Sequence, residues 1–242
     1  MTDSVLAQPL LCIAHRGGSQ QFSENTLAAF EESLQRGVDA IELDVWHLDG
    51  ELLITHDRRL GKSLPGHGLL SDHSPQQLRE LLLPCGNHLA TLPDVLELVG
   101  DKVMLNIELK GPDCAAPVAD VLEDFVRKRG LSFDSYVVSS FDHPQLLAFK
   151  QRLPQVKRGV LIEGIPLHYA GGFDELEAYS FHPSINFINA ELVRDAQARG
   201  FKVWVYTVNE VEDMQWMAAL GVDGVFTDYP QRLQALNAKC GA

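Results

Sequence analysis

The chain has 242 residues with 33 acidic and 20 basic side chains, giving a formal net charge of −13 and a pI near 5.0. That balance opposes long-range attraction to nucleic acid or to anionic membrane, so an anionic ligand has to be captured locally, by a metal or by a few placed cations. No apolar run has the length of a membrane span, and no linker or low-complexity stretch divides the chain, so residues 1–242 are expected to form one domain.

In chain order, an apolar run over 10–14 reads as a strand ending at His15, and a helical pattern follows from Glu24-Asn25-Thr26 through Leu34 to Gly37, with Ser23 as candidate cap. A second strand spans 40–45. Asp49-Gly50 is a turn signal, and 51–55 returns as the other arm of a hairpin. Centred on Asp49, that hairpin would set Glu42 opposite His56. Helices are expected from Ser74-Pro75 through Leu82 and from Leu92 to Val99. Strands and helices then alternate, with strands at 103–109, 136–140, 160–162, 184–187, 201–208 and 224–227, and helices over 115–129, 144–152, and from about 190 and 210. Without the hairpin's return arm, eight strands remain that can run parallel. Their count and alternation predict a (β/α)8 TIM barrel with an added β-hairpin arm after the second strand.

The segment Ile41-Glu42-Leu43-Asp44-Val45 puts two carboxylates on one face of a strand inside an apolar run. Like charges so placed repel and resist burial unless a divalent metal or basic side chains neutralise them. Glu108, in Asn106-Ile107-Glu108-Leu109-Lys110, completes an oxygen-rich set that matches a hard cation better than zinc. A plain ion-pair network with Arg16 and Lys110 would account for the same acids, and both readings are compatible. His15 and His56 are candidates for general acid and general base. Arg16 directly follows His15 and offers a planar fork suited to phosphate oxygens. Glu24 and Asn25 are candidates both to cap the first helix and to orient Arg16 or a metal ligand. His67 and His73 read as solvent-facing loop residues.

These motifs carry a family likeness. Ala14-His15-Arg16-Gly17-Gly18, Glu24-Asn25-Thr26, Ile41 to Val45, His56-Asp57, Ile107 to Lys110, Ser139-Ser140-Phe141-Asp142, Thr207-Val208-Asn209 and Gly221 to Pro230 stand in the order found in glycerophosphodiester phosphodiesterases, which the chain resembles over nearly its whole length. The resemblance implies a TIM barrel that hydrolyses glycerophosphodiesters to glycerol 3-phosphate and an alcohol. It implies a divalent metal, Mg²⁺ or Ca²⁺ with Mn²⁺ as a further candidate, held by Glu42, Asp44 and Glu108. His15 and His56 would be the acid–base pair, with their individual roles open, and Arg16 and Lys110 would contact phosphate. Phe141 and Tyr206 would wall the glycerol pocket, although both also suit plain core aromatics. Tyr206 departs from the tryptophan common before Thr-Val-Asn, which bears on substrate preference more than on chemistry. Glu163, just past the 160–162 strand, is a candidate to bind glycerol hydroxyls but stands, with His182, outside the core set.

The four cysteines form no CxxC pair and are expected to be ordinary reduced thiols. The N-terminal residues lack the basic and apolar regions of a secretory signal, so a cytoplasmic enzyme is expected, acting on a small molecule without nucleic acid or stable membrane association.

Overall fold

The computed structural model describes residues 8–240. Nine strands run as β1 (Leu11–Ala14), β2 (Ala40–Leu48), β3 (Glu51–Ile54), β4 (Met104–Leu109), β5 (Tyr136–Ser140), β6 (Lys157–Ile162), β7 (Ser180–Pro183), β8 (Lys202–Val205) and β9 (Gly224–Thr227). Eight of them close into a parallel barrel in the order β1-β2-β4-β5-β6-β7-β8-β9, with β9 returning to β1. Eight helices lie between and after them: α1 (Leu27–Arg36), α2 (Pro75–Arg79), α3 (Leu92–Val99), α4 (Ala115–Arg129), α5 (His143–Arg152), α6 (Ala190–Ala198), α7 (Val211–Leu220) and α8 (Pro230–Asn237). The expected (β/α)8 barrel is the observed one.

β3 is the hairpin arm, and it runs antiparallel. β1 pairs with β2 only at Ala40 and Ile41, while β4 holds the other edge through Val45. The edge of β2 vacated above β1 is taken by β3, from Val45 opposite Ile54 to Leu48 opposite Glu51. That register is one residue away from the expected one. Asp49 (φ 44°) and Gly50 (φ 85°) both adopt left-handed backbone, the signature of a two-residue hairpin turn, so the symmetry point falls between them instead of on Asp49. Glu42 therefore does not pair with His56, which lies just past the end of β3.

Three further expectations are corrected. The strand expected at 184–187 lies at Ser180–Pro183, hydrogen-bonded to β6 and β8. The alternating Ser-Ile-Asn-Phe run after it imitates a strand, but the Ser184 hydroxyl accepts from the Asn186 N–H at 3.3 Å and turns Ile185–Phe187 into a 3-10 helix. α1 is capped by Thr26, which accepts from the Ala29 N–H at 3.3 Å, and not by Ser23. α2 stops at Arg79, short of Leu82, which is 60% exposed.

Strand periodicity sorts the side chains. Cys12, Ile41, Leu43, Leu105, Ile107, Val138, Val160, Phe181, Val203 and Val225 face outward into the main core beneath the helices. The alternate residues Ile13, Ala40, Val137, Trp204 and Phe226 fill the barrel floor. Continuing that inward series towards the C-terminal strand ends gathers His15, Glu42, Asp44, Glu108 and Tyr206 in the layers above that floor. The segment between β3 and α3 builds a smaller core of its own from Leu60, Leu64, Leu70, Leu78, Leu83 and Leu89, closed against Trp46 and Leu53. All four cysteines are free thiols. Among the described residues no helix is long and apolar enough to cross a membrane.

Candidate active site

Directly after β1 the backbone turns sharply. Arg16 (φ 51°) and Gly17 (φ 91°) are both left-handed. A Cβ on Gly17 would lie 2.8 Å from the Ala29 Cβ, so this glycine permits α1 to pack directly under the turn. The turn aims the Arg16 N–H at Glu42 Oε2, 2.8 Å away, and sends the guanidinium back to Glu24, which it contacts at 3.0 and 3.1 Å. Arg16 Nε lies 3.3 Å from Asp44 Oδ2. Asn25 grips Asp44 twice, donating from Nδ2 to Oδ2 at 2.9 Å and accepting the Asp44 N–H at 3.2 Å. Both orienting roles expected of Glu24 and Asn25 are therefore visible as contacts.

Carboxylate oxygens of Glu42, Asp44 and Glu108 lie within 4.8 Å of one another, and all three residues are buried. Lys110 Nζ sits 2.7 Å from Glu108 Oε1 and 3.7 Å from Asp44 Oδ1. Two cations do not neutralise three buried acids. The carboxyls of Glu42 and Glu108 are pushed well above the usual range, first by burial and then by the charge of Asp44. Glu42 Oε1 is buried with no hydrogen-bond partner. An oxygen-only donor set with residual negative charge and an orphaned carboxylate oxygen fits a hard divalent cation.

Each histidine is anchored by an aspartate. His15 Nδ1 is 2.6 Å from Asp228 Oδ1, and His56 Nδ1 is 2.9 Å from Asp57 Oδ1. A carboxylate only accepts, so each Nδ1 carries the proton and each Nε2 is the nitrogen that can accept or pass on a further one. Asp228 is itself fixed by Asn209, which donates from Nδ2 at 2.7 Å and accepts the Asp228 N–H at 2.9 Å. For His15, burial alone would depress the pKa, but the Asp228 hydrogen bond and the charge of Glu42 outweigh it, and the net shift is upward. For His56 burial dominates and Arg16 and Lys110 add to it, so the shift is downward.

The cleft above these groups has a volume of about 280 Å³. His15, Arg16, Glu42, His56, Glu108, Lys110, Phe141, Glu163 and Tyr206 are among the residues that line it. Phe141 is 41% exposed and Tyr206 is half-buried, so neither is a plain core aromatic. His182 is the reverse case. It is fully buried on the barrel floor, stacked on Trp204 with centroids 5.1 Å apart and within 2.7 Å of the Ser180 hydroxyl. The sequence motifs contain Asp228 and Asn209 but assign neither a task. Their partner His15 is some two hundred residues away, and only barrel closure between β9 and β1 brings them together.

A small cleft lined by Arg16 and Lys110 with unbalanced carboxylates beside them suits an anionic small molecule, and it opens where barrel enzymes keep their chemistry. Residues 15–232 match the glycerophosphoryl diester phosphodiesterase family. A glycerophosphodiester phosphodiesterase of Caldanaerobacter subterraneus is 36% identical, the alignment covering 96% of this chain and 99% of the relative. One from Bacillus altitudinis is 33% identical, over 90% of this chain and 94% of the relative. Among solved structures, an Oleispira antarctica phosphodiesterase in complex with the product sn-glycerol 3-phosphate superimposes with a TM-score of 0.83 at 28% identity, covering 96% of each chain. The chain belongs to the glycerophosphoryl diester phosphodiesterase family and is an enzyme of that type.

Proposed function

We propose that this enzyme hydrolyses glycerophosphodiesters to glycerol 3-phosphate and an alcohol with the help of one divalent metal, Mg²⁺ or Ca²⁺, using His15 and His56 for proton transfer. The observation that carries the reading is the juxtaposition of an undercompensated, buried carboxylate trio with two aspartate-anchored imidazoles in one cleft. Glu42, Asp44 and Glu108 would hold the metal, which when bound supplies Lewis-acid polarisation of the phosphoryl oxygens. Arg16 and Lys110 lie beside the trio and bind the non-bridging phosphate oxygens, offsetting charge that builds in the transition state.

The two histidines divide the proton traffic. His56, whose burial favours the neutral ring, accepts the proton of the attacking hydroxyl, from water or from the adjacent glycerol hydroxyl; in the second case the first product is a cyclic phosphate, which water then opens to glycerol 3-phosphate with the two histidines exchanging roles. His15, whose protonated ring is favoured by Asp228, donates to the alcohol oxygen as its bond to phosphorus breaks. Phe141 and Tyr206 border the organic part of the substrate. The whole chain is proposed to act as one catalytic domain.

The test is release of glycerol 3-phosphate from glycerophosphocholine by chelator-treated enzyme with Mg²⁺, Ca²⁺ or Mn²⁺ restored. Turnover that disappears with the chelator and returns with an ion is expected. Full turnover in the chelated state would reject the metal-dependent mechanism.

A further inference from the structure

β6 stands opposite β1 in the ring of eight strands. The residue that follows it, Glu163, lines the cleft and also an adjoining groove of about 400 Å³, which shares Phe141 and Leu161 with the cleft. The other acids around the site are engaged. Glu24, Glu42 and Asp44 bond to Arg16, Glu108 to Lys110, Asp57 to His56 and Asp228 to His15. Glu163 is exposed, and no described residue pairs with it. A free carboxylate at the mouth of a site for phosphodiester anions repels its own substrate, unless the far end of that substrate is positively charged.

Two aromatic rings border the same space. Phe141 and Tyr206 meet edge to face, centroids 5.7 Å apart at 88°, and the Tyr206 hydroxyl donates to the Ile162 carbonyl at 2.8 Å, which holds its ring in place. Lys110 Nζ already lies 5.5 Å from the Phe141 centroid, so this ring offers its π-face to cations. Burial raises the pKa of the Tyr206 phenol, and the nearby Glu163 charge raises it further. Perpendicular ring walls with a carboxylate at the open side form a box for an ammonium group. Ile165 and Pro166 extend the groove with apolar surface against which methyl groups can lie.

We propose that Glu163, Phe141 and Tyr206 form a headgroup subsite that selects glycerophosphodiesters whose alcohol carries an ammonium group. The proposal rests on the phosphodiesterase reading above and deepens it by naming the alcohol, and it places Phe141 and Tyr206 on that alcohol instead of on the glycerol, where the family resemblance put them. With phosphate held by Arg16 and Lys110, the alcohol arm extends across the barrel mouth towards β6. A quaternary ammonium is held by the ring faces and the Glu163 charge, and a primary ammonium additionally donates a hydrogen bond to that carboxylate.

The experiment compares kcat/KM for glycerophosphocholine and for glycerophosphoglycerol, whose alcohol is neutral, in the metal-loaded wild type, Glu163→Gln and Glu163→Lys. The choline-to-glycerol ratio is expected to fall about threefold in Glu163→Gln, as for loss of one solvent-exposed charge contact, and to fall further in Glu163→Lys. An unchanged ratio overturns the proposal, and KM rising equally for both esters would put Glu163 on the shared glycerol hydroxyls instead. Saturation-transfer NMR with choline alone gives a readout that needs no turnover. Choline binding that weakens in Glu163→Gln and in Phe141→Leu supports the subsite, even if no ester is cleaved, in which case the catalytic reading falls and the subsite stands. Choline binding indifferent to both changes overturns the subsite and leaves the catalytic reading untouched.

Discussion

At the residue scale the chemistry depends on how Asp228 holds His15. A 2.6 Å bond to Nδ1 fixes the tautomer and turns Nε2 to the cleft, and Asn209 immobilises the aspartate in turn. Asp228→Asn keeps the shape but removes the charge that favours the protonated ring. kcat/KM should fall by about 10²-fold, the size of effect seen when an orienting carboxylate behind a functional histidine is lost. The pH profile should also change in a defined direction. With His15 as the acid proposed above, activity is lost as pH rises through its pKa. Removing Asp228 lowers that pKa, and the alkaline limb should move to lower pH. A rate profile that drops in height without moving on the pH axis would show that Asp228 serves the fold alone. The acids, Arg16 and the two histidines stood out in the sequence because each sits in a short motif within or just after a strand. Asp228 and Asn209 were quoted there without a role, since a contact made by closing a barrel leaves no local trace.

At the element scale, the sequence predicted eight alternating units and the hairpin, and missed where turn chemistry competes with pattern. The hairpin register slipped by one because a two-residue turn has its centre between residues. The seventh strand was displaced because apolar alternation after Pro183 belongs to a serine-initiated 3-10 helix. The cap of α1 moved from Ser23 to Thr26 because the loop before it is occupied by contacts from Arg16 to Glu24 and from Asn25 to Asp44. That last shift is testable by denaturant midpoint. Thr26→Ala should cost about 1 kcal/mol of stability, the usual loss of a hydroxyl cap, while Ser23→Ala should cost markedly less. Equal losses would mean that the observed cap bond contributes nothing of its own.

At the scale of the whole molecule, the barrel floor sets the acid limit of the fold. Burial lowers the pKa of His182 from 6.5 to about 3, so the ring stays neutral in the native state while the unfolded chain binds a proton below about pH 6.5. Protons therefore favour unfolding from about pH 6.5 down to about pH 3, with a slope of up to about 1.4 kcal/mol per pH unit from this one group. In His182→Gln, which keeps a partner for the Ser180 hydroxyl, the drop in stability between pH 7 and pH 5 should be smaller than in the wild type by most of that one-proton contribution. An identical drop in both proteins would assign the acid sensitivity to other groups.

The junction between the two packing units has a spectroscopic consequence. Trp46 closes the small core beside β3, 92% shielded, with its indole N–H on the His56 carbonyl at 3.3 Å, while Trp204 is sealed in the barrel floor and Trp216 is 44% exposed. The three indoles thus sit at the annex, the foundation and the water boundary. Opening of the annex around His56 redshifts the emission of Trp46 alone, so intrinsic fluorescence distinguishes loosening beside the cleft from collapse of the barrel beneath it.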